Sequence, residues 1–150
     1  MDESIKDQII SIINDVDDLT IATVREDGYP QATTVSYVND GMAIYFGTSA
    51  DAQKARNIAR CDKVSLTINR PYKNWSEIES LSIGGRASRV TDPKEEARVG
   101  ELMFGKFPQI KDYVEFGDSM GELALSRINP EVVSLLDYGK GFGHTETFEV

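Results

Sequence analysis

Thr48, Ser49 and Lys54 place two hydroxyls and an ammonium within one short stretch, a set suited to holding a phosphate. The surrounding sequence, Tyr45-Phe46-Gly47-Thr48-Ser49-Ala50-Asp51-Ala52-Gln53-Lys54-Ala55-Arg56-Asn57-Ile58, reads as an apolar strand running into small hydroxyl residues and then a basic helix start. The first turn of a helix has backbone N–H groups with no intrahelical partner, and its dipole favours an anion there. A second reading of the same residues is ordinary capping: Ser49 or Asp51 caps the helix and Lys54 is solvated. The elements around the segment bear on the choice.

Upstream, Ile5, Ile9, Ile12, Ile13 and Val16 recur at the spacing of one helical face, which predicts an amphipathic packing or lid helix over Ser4 to Val16. Leu19-Thr20-Ile21-Ala22-Thr23-Val24 and Gln31-Ala32-Thr33-Thr34-Val35-Ser36-Tyr37-Val38 are β-rich runs joined by the turn residues Asp27-Gly28-Tyr29-Pro30, so they predict a hairpin. Asn39-Asp40-Gly41 makes another turn, and Met42 to Phe46 returns as a third strand. A helix over Asp51 to Ala59 follows, then strands over Val64 to Asn69 and Leu81 to Val90. The pair Gly84-Gly85 predicts a bulge or a close backbone approach in the latter. Thr91-Asp92-Pro93 with Glu95 and Glu96 is a helix start, and the helix should reach Phe104. Leu123 to Ile128 and Glu131 to Tyr138 predict two closing strands separated by Asn129-Pro130. The expected fold is mainly β (α+β): one domain over residues 1–150, an antiparallel split β-barrel of about six or seven strands with an N-terminal helix and short connecting helices.

A formal net charge of −9, from 16 basic and 25 acidic residues, opposes binding to nucleic acid. One phosphate-bearing small molecule remains compatible with it, because a local lysine and oriented amides act at short range. No apolar run approaches a membrane span and the N-terminus lacks a basic and then apolar leader, so a soluble, cytoplasmic protein with no membrane partner is expected. Cys61, the only cysteine, permits no intrachain disulfide and reads as a small buried apolar residue. One histidine cannot build a multi-histidine metal site, and no Ser/His/Asp triad is legible. No metal ligand and no catalytic residue is therefore assigned.

The ordered set Leu19 to Val24, Asp27-Gly28-Tyr29-Pro30, Val35-Ser36-Tyr37-Val38, Tyr45-Phe46-Gly47-Thr48, Lys54-Ala55-Arg56-Asn57-Ile58, Val64-Ser65-Leu66 and Gly85-Arg86-Ala87 resembles the pyridoxamine 5'-phosphate oxidase-like family of FMN-binding split barrels. The resemblance runs from about Leu19 to Tyr138. It implies a homodimer with FMN at the subunit interface and a small-molecule substrate. By that resemblance Thr33, Thr34, Val35 and Ser36 run beside the flavin ring and phosphate. Thr48 matches the family threonine after the third strand, Lys54 its phosphate-binding lysine, and Ser49 and Gln53 lie beside them. The founding enzymes carry arginine at the positions of Thr33 and Gln53 and lysine at that of Val38; the loss of those charges points away from vitamin oxidation.

Trp75, in Tyr72-Lys73-Asn74-Trp75, either covers the flavin of the partner subunit, as aromatic residues here do in similar proteins, or anchors a loop or dimer interface. Phe104, Phe107, Tyr113 and Phe116 are expected to pack a loop over the barrel, with a substrate pocket as the alternative. His144 lies in Gly139-Lys140-Gly141-Phe142-Gly143-His144, an ending like that of some relatives whose tail lies near the flavin. It either serves the cofactor site or belongs to a disordered terminus. The resulting functional expectation is an oxidoreductase passing hydride or electrons through FMN. The alternatives are a non-catalytic flavin carrier or stress-related sensor, or a haem- or deazaflavin-binding split barrel.

Overall fold

Period-two burial along the strands dictates the architecture: β1 (Asp18–Val24) buries Leu19, Ile21 and Thr23, and β5 (Lys63–Asn69) buries Val64, Leu66 and Ile68. Each strand thus has one apolar face, and the sheet curls to enclose it. The computed structural model describes residues 1–113 and 123–150. The other strands are β2 (Pro30–Ser36), β3 (Val38–Asp40), β4 (Ala43–Ser49), β6 (Glu79–Arg89), β7 (Leu123–Asp137) and β8 (Thr145–Glu149). They form one eight-stranded antiparallel sheet in the order β2-β1-β5-β6-β7-β4-β3, with β8 added against β7. The core within the curl is built from Ile21, Ile44, Phe46, Leu66, Ile83 and Ile128, among others.

Helices close the ends of this half-barrel. The predicted N-terminal helix is α1 (Glu3–Asp15), capped by the Asp2 carboxylate, which accepts from the Ile5 N–H; it buries Ile9, Ile12 and Ile13. It is a packing helix, fixed by the Tyr37 hydroxyl donating to the Ile13 carbonyl and by Arg70 on Ser11 and Asp15. At the opposite end lies α2 (Gln53–Arg60), whose Arg60 guanidinium donates to the Val24 carbonyl. Cys61, at the C-cap of α2, is half-buried rather than fully enclosed. The third helix, α3 (Pro93–Lys106), has the predicted cap, with Asp92 accepting from Lys94 N–H and proline in the first turn. The short α4 (Ile110–Tyr113) follows it. Phe116 and the side chain of Tyr113 lie outside the described residues.

Several boundaries differ from the sequence expectation. The two closing strands are one 15-residue strand, β7, running through Pro130. One flank of β7 pairs with β4 at positions 123–128 and with β8 at 132–136, so Pro130 falls in the gap between them. There its missing N–H interrupts no ladder on that flank. On the other flank the expected glycine irregularity is present, with the β6 register shifting between Gly84 and Gly85. A Cβ at Gly85 would stand 2.5 Å from the Asn129 carbonyl oxygen, which is why only glycine fits. The tail forms a strand too. Gly141 and Gly143, with φ of +140° and +77°, turn the chain so that β8 pairs back on β7.

Candidate functional site

The second strand of the predicted hairpin changes partners at Tyr37. Residues 30–36 pair with β1, whereas Val38–Asp40 pairs with β4, starting at Val38↔Tyr45. Continued past Tyr37↔Phe46, that register would bring Ser36 opposite Gly47, yet β2 and β4 are not neighbours in the sheet. The two strands are unpaired here, with Thr33, Thr34 and Ser36 on β2 and Gly47, Thr48 and Ser49 on β4. The four successive β2 residues do not share a face. Val35 is buried in the core and Thr33 is half-buried, while Thr34 and Ser36 point outward and the Ser36 hydroxyl donates to Asp18 Oδ1 at 2.8 Å. The Thr33 Oγ1 atom is buried with no hydrogen-bond partner among the described residues.

The helix α2 follows β4, and here the capping question is answered. The N-cap residue is Ala52, without a side-chain cap; Ser49 Oγ accepts only from the Asp51 N–H, at 3.3 Å, one turn earlier. The first turn contains no acid. Lys54, at its second position, is half-buried, and no ion pair or hydrogen bond engages its ammonium among the described residues. Lys6, Lys63, Lys73 and Lys94 are similarly unpaired but exposed, so solvent satisfies them. Gln53 is committed elsewhere. It donates to Asn57 Oδ1 at 2.8 Å and accepts from Arg56 at 2.7 Å, leaving its backbone N–H as its free group. Asn57, only 1% exposed, donates to Thr23 Oγ1 and Gln31 Oε1 and so ties α2 to the hairpin. An uncapped helix start, an unpaired half-buried ammonium and adjacent hydroxyls together fit a phosphate.

A family model described as pyridoxamine 5'-phosphate oxidase matches residues 5–137. The chain belongs to that family. Among solved structures it is similar to a haem-binding protein of Mycobacterium smegmatis, with a TM-score of 0.81 at 20% identity over 99% of this chain and 59% of that one. It therefore spans about three-fifths of that protein's length. It is also similar to the haem storage protein of Vibrio cholerae (TM-score 0.67, 21% identity, 95% of this chain and 92% of that one). A third is the General Stress Protein 26 of Bacillus anthracis (TM-score 0.71, 17% identity, 97% and 98%). These likenesses establish the fold. No curated protein sequence matches this chain.

Thr48 and Lys54 stand at one end of the barrel, and Trp75 and His144 stand at the other. The β5–β6 connection carrying Trp75 and the β7–β8 connection carrying His144 adjoin α1, whereas Lys54 adjoins the start of β5. The seven residues of β5 separate the two groups by about 20 Å. Trp75 is 66% exposed and contacts Phe142, at 5.7 Å between ring centroids; Phe142 is 81% exposed and meets Tyr138 edge-on. His144 is ordered by its N–H to the Gly141 carbonyl, and its Nε2 is buried 3.6 Å from Glu146 Oε1, beyond a hydrogen bond.

Two features escaped the sequence reading. One is the Asn57 network, for which the only signal was an amide in the middle of a short helix. The other is the share that Gly47 and Ser36 take in the layer under α3, where Phe104 and Phe107, expected to pack over the barrel or line a pocket, line a cavity of about 370 Å³. At the neighbouring end of α3 the Glu95 carboxylate accepts from Arg127 at 2.6 Å and from the Tyr45 hydroxyl at 2.9 Å. These bonds, Arg127 first, hold the Glu95 carboxyl below the usual carboxylate range.

Proposed function

We propose that this chain is an FMN-binding oxidoreductase that works as a homodimer. The observation that carries the reading is Lys54: a half-buried ammonium without an acidic partner among the described residues, close in sequence to an uncapped helix start and the Thr48 and Ser49 hydroxyls. A dianionic phosphate supplies what that arrangement lacks, through charge-assisted hydrogen bonds. Lys54, Thr48, Ser49 and the first N–H groups of α2 would hold the phosphate, and β2, whose buried Thr33 hydroxyl has no partner among the described residues, would border the rest. The flavin supplies the hydride or electron chemistry; this chain supplies binding and orientation.

Two further observations support the dimer. Trp75 and His144 are too far from Lys54 to serve the same flavin within one protomer, so a shared site requires the two ends to come from different copies. The outward face of the sheet also carries an in-register row of small hydroxyl residues, Thr34, Thr20, Thr67, Ser82, Ser134 and Thr147. That row carries no charge, which suits packing against its own copy.

An absorption spectrum after FMN loading tests the reading. Saturable binding, near one flavin per chain on a dimer by sedimentation, is expected; failure to bind FMN overturns it. A second reading, haem binding, is favoured by the His144 imidazole, whose Nε2 makes no hydrogen bond among the described residues and is of a type that ligates haem iron, and by likeness to two haem proteins. A Soret band lost in His144→Ala would select it.

A further inference from the structure

Asn57 is only 1% exposed, so a ligand outside the fold does not reach its side chain, yet its amide is fully used. Nδ2 donates to Thr23 Oγ1 at 3.0 Å and to Gln31 Oε1 at 3.1 Å, and Oδ1 accepts from Gln53 Nε2 at 2.8 Å. Thr23 and Gln31 stand directly opposite one another in the β1–β2 register. One side chain therefore joins a cross-strand pair of the hairpin to the first residue of α2, which lies one turn before it on the same helical face. The connection continues past Gln53. Its Oε1 accepts from Arg56 Nη2 at 2.7 Å, and Arg56 Nη1 donates to the Asp51 carbonyl at 2.8 Å. The chain of bonds thus ends on the backbone just before the Ala52 N-cap, where the Ala52 N–H closes a turn on the Ser49 carbonyl at 3.0 Å.

The start of α2 has little else to fix it. The helix has 8 residues, and isolated helices shorter than roughly 12–15 residues are marginal in water. Ala52 provides no side-chain cap. A capping side chain would also occupy one of the first N–H groups. Bonds made by the Gln53 and Arg56 side chains hold the same turn from outside the backbone ladder and leave those N–H groups to a ligand.

We infer that Asn57 is a positioning residue for the phosphate site: acting through Gln53, it sets the direction of the first N–H groups of α2, and the place of Lys54, relative to β2. The inference rests on the flavin reading and adds to it a residue that the ligand does not touch. Its consequence is selective. A donor contributes to binding in proportion to how well its direction is held beforehand, so a loosened helix start weakens the hold on the phosphate. The flavin ring, which that reading places beside β2, keeps its contacts.

The test titrates the full chain with FMN and with riboflavin, which lacks only the phosphate, and reads the ratio of the two dissociation constants. In the parent, two or more charge-assisted bonds to the phosphate should make FMN tighter by at least about a hundredfold. Asn57→Ala and Gln53→Ala are each expected to narrow that ratio about tenfold, with riboflavin affinity within about twofold of the parent. Both variants break the same connection, so the double variant should narrow the ratio no further than the larger single effect. A purely structural role for Asn57 would move both ligands together or neither. An unchanged ratio in folded Asn57→Ala, equal losses for FMN and riboflavin, or additive losses in the double variant overturns the inference. Should Asn57→Ala not fold, Gln53→Ala, which leaves the bonds to Thr23 and Gln31 in place, decides the matter: a narrowed ratio supports the inference and an unchanged one overturns it. A parent chain that binds neither flavin defeats the flavin reading and the inference with it. Tight FMN binding with an unchanged ratio in the variants defeats the positioning role alone.

Discussion

Lys54→Ala separates a ligand-binding lysine from a structural one, because its two effects have opposite signs. In the protein without ligand, the ammonium is half-buried at the second position of α2, next to the positive end of the helix dipole and without an acid in that turn. Removing a cation from a helix start relieves an unfavourable term of about 0.3–1 kcal/mol, and alanine is at least as good a helix former. Urea unfolding should therefore show unchanged or slightly raised stability. Binding should move the other way. A hydrogen bond to a charged group contributes about 1.5–3 kcal/mol, which corresponds to a roughly 10- to 150-fold rise in the FMN dissociation constant. Quenching of flavin fluorescence on titration measures it directly. An FMN affinity within twofold of the parent, or a loss of more than about 1 kcal/mol in unliganded stability, would refute the reasoning; the second result would mean that Lys54 had a structural partner.

Three other outcomes follow from single contacts. Asn57→Ala removes the amide that joins α2 to Thr23 and Gln31, and should cost about 1–3 kcal/mol in urea unfolding by leaving buried polar groups unpaired; a neutral effect would mean water replaces it. Gly85→Ala drives a methyl to within 2.5 Å of the Asn129 carbonyl and should lower the thermal midpoint, with a destabilisation of about 1–3 kcal/mol. No change would mean that the β6–β7 bulge relaxes freely. Glu95 has a folded-state pKa held below its ordinary 4.5, so its contribution is complete above that value and disappears as the pH falls through the lower folded value. The gap in thermal midpoint between the parent and Glu95→Gln should be largest near neutral pH and close in acid; a constant gap would contradict the assignment.

The strands were legible because each is half-buried: alternation in Leu19 to Val24 and Val64 to Asn69 reports the core face directly. The helix start at Asp92-Pro93 was equally local, since cap and proline act within one turn. The α2 start was not, because Ser49 and Asp51 are the preferred caps and Ala52 is a poor one, yet the cap falls on Ala52, and β4 runs to Ser49 only because β7 pairs with it that far. Pro130 misled for the same reason: proline ends a strand by local rules, but here it stands in a gap between two neighbours that only the assembled sheet creates.

By itself the sequence determined the half-barrel, the family-like order of elements and the hydroxyl–lysine segment after the third strand, because these rest on periodicity and short-range spacing. Tertiary structure alone decided that Ala52 caps α2 without a side-chain bond, that Lys54 is half-buried without a partner among the described residues, and that β2 leaves β1 at Tyr37 to pair with β4 as β3. It also placed Trp75 and His144 at the far end of β5. Each of those depends on which residues meet across strands distant in sequence, and burial, pairing and separation are properties of the packed sheet that no local pattern encodes.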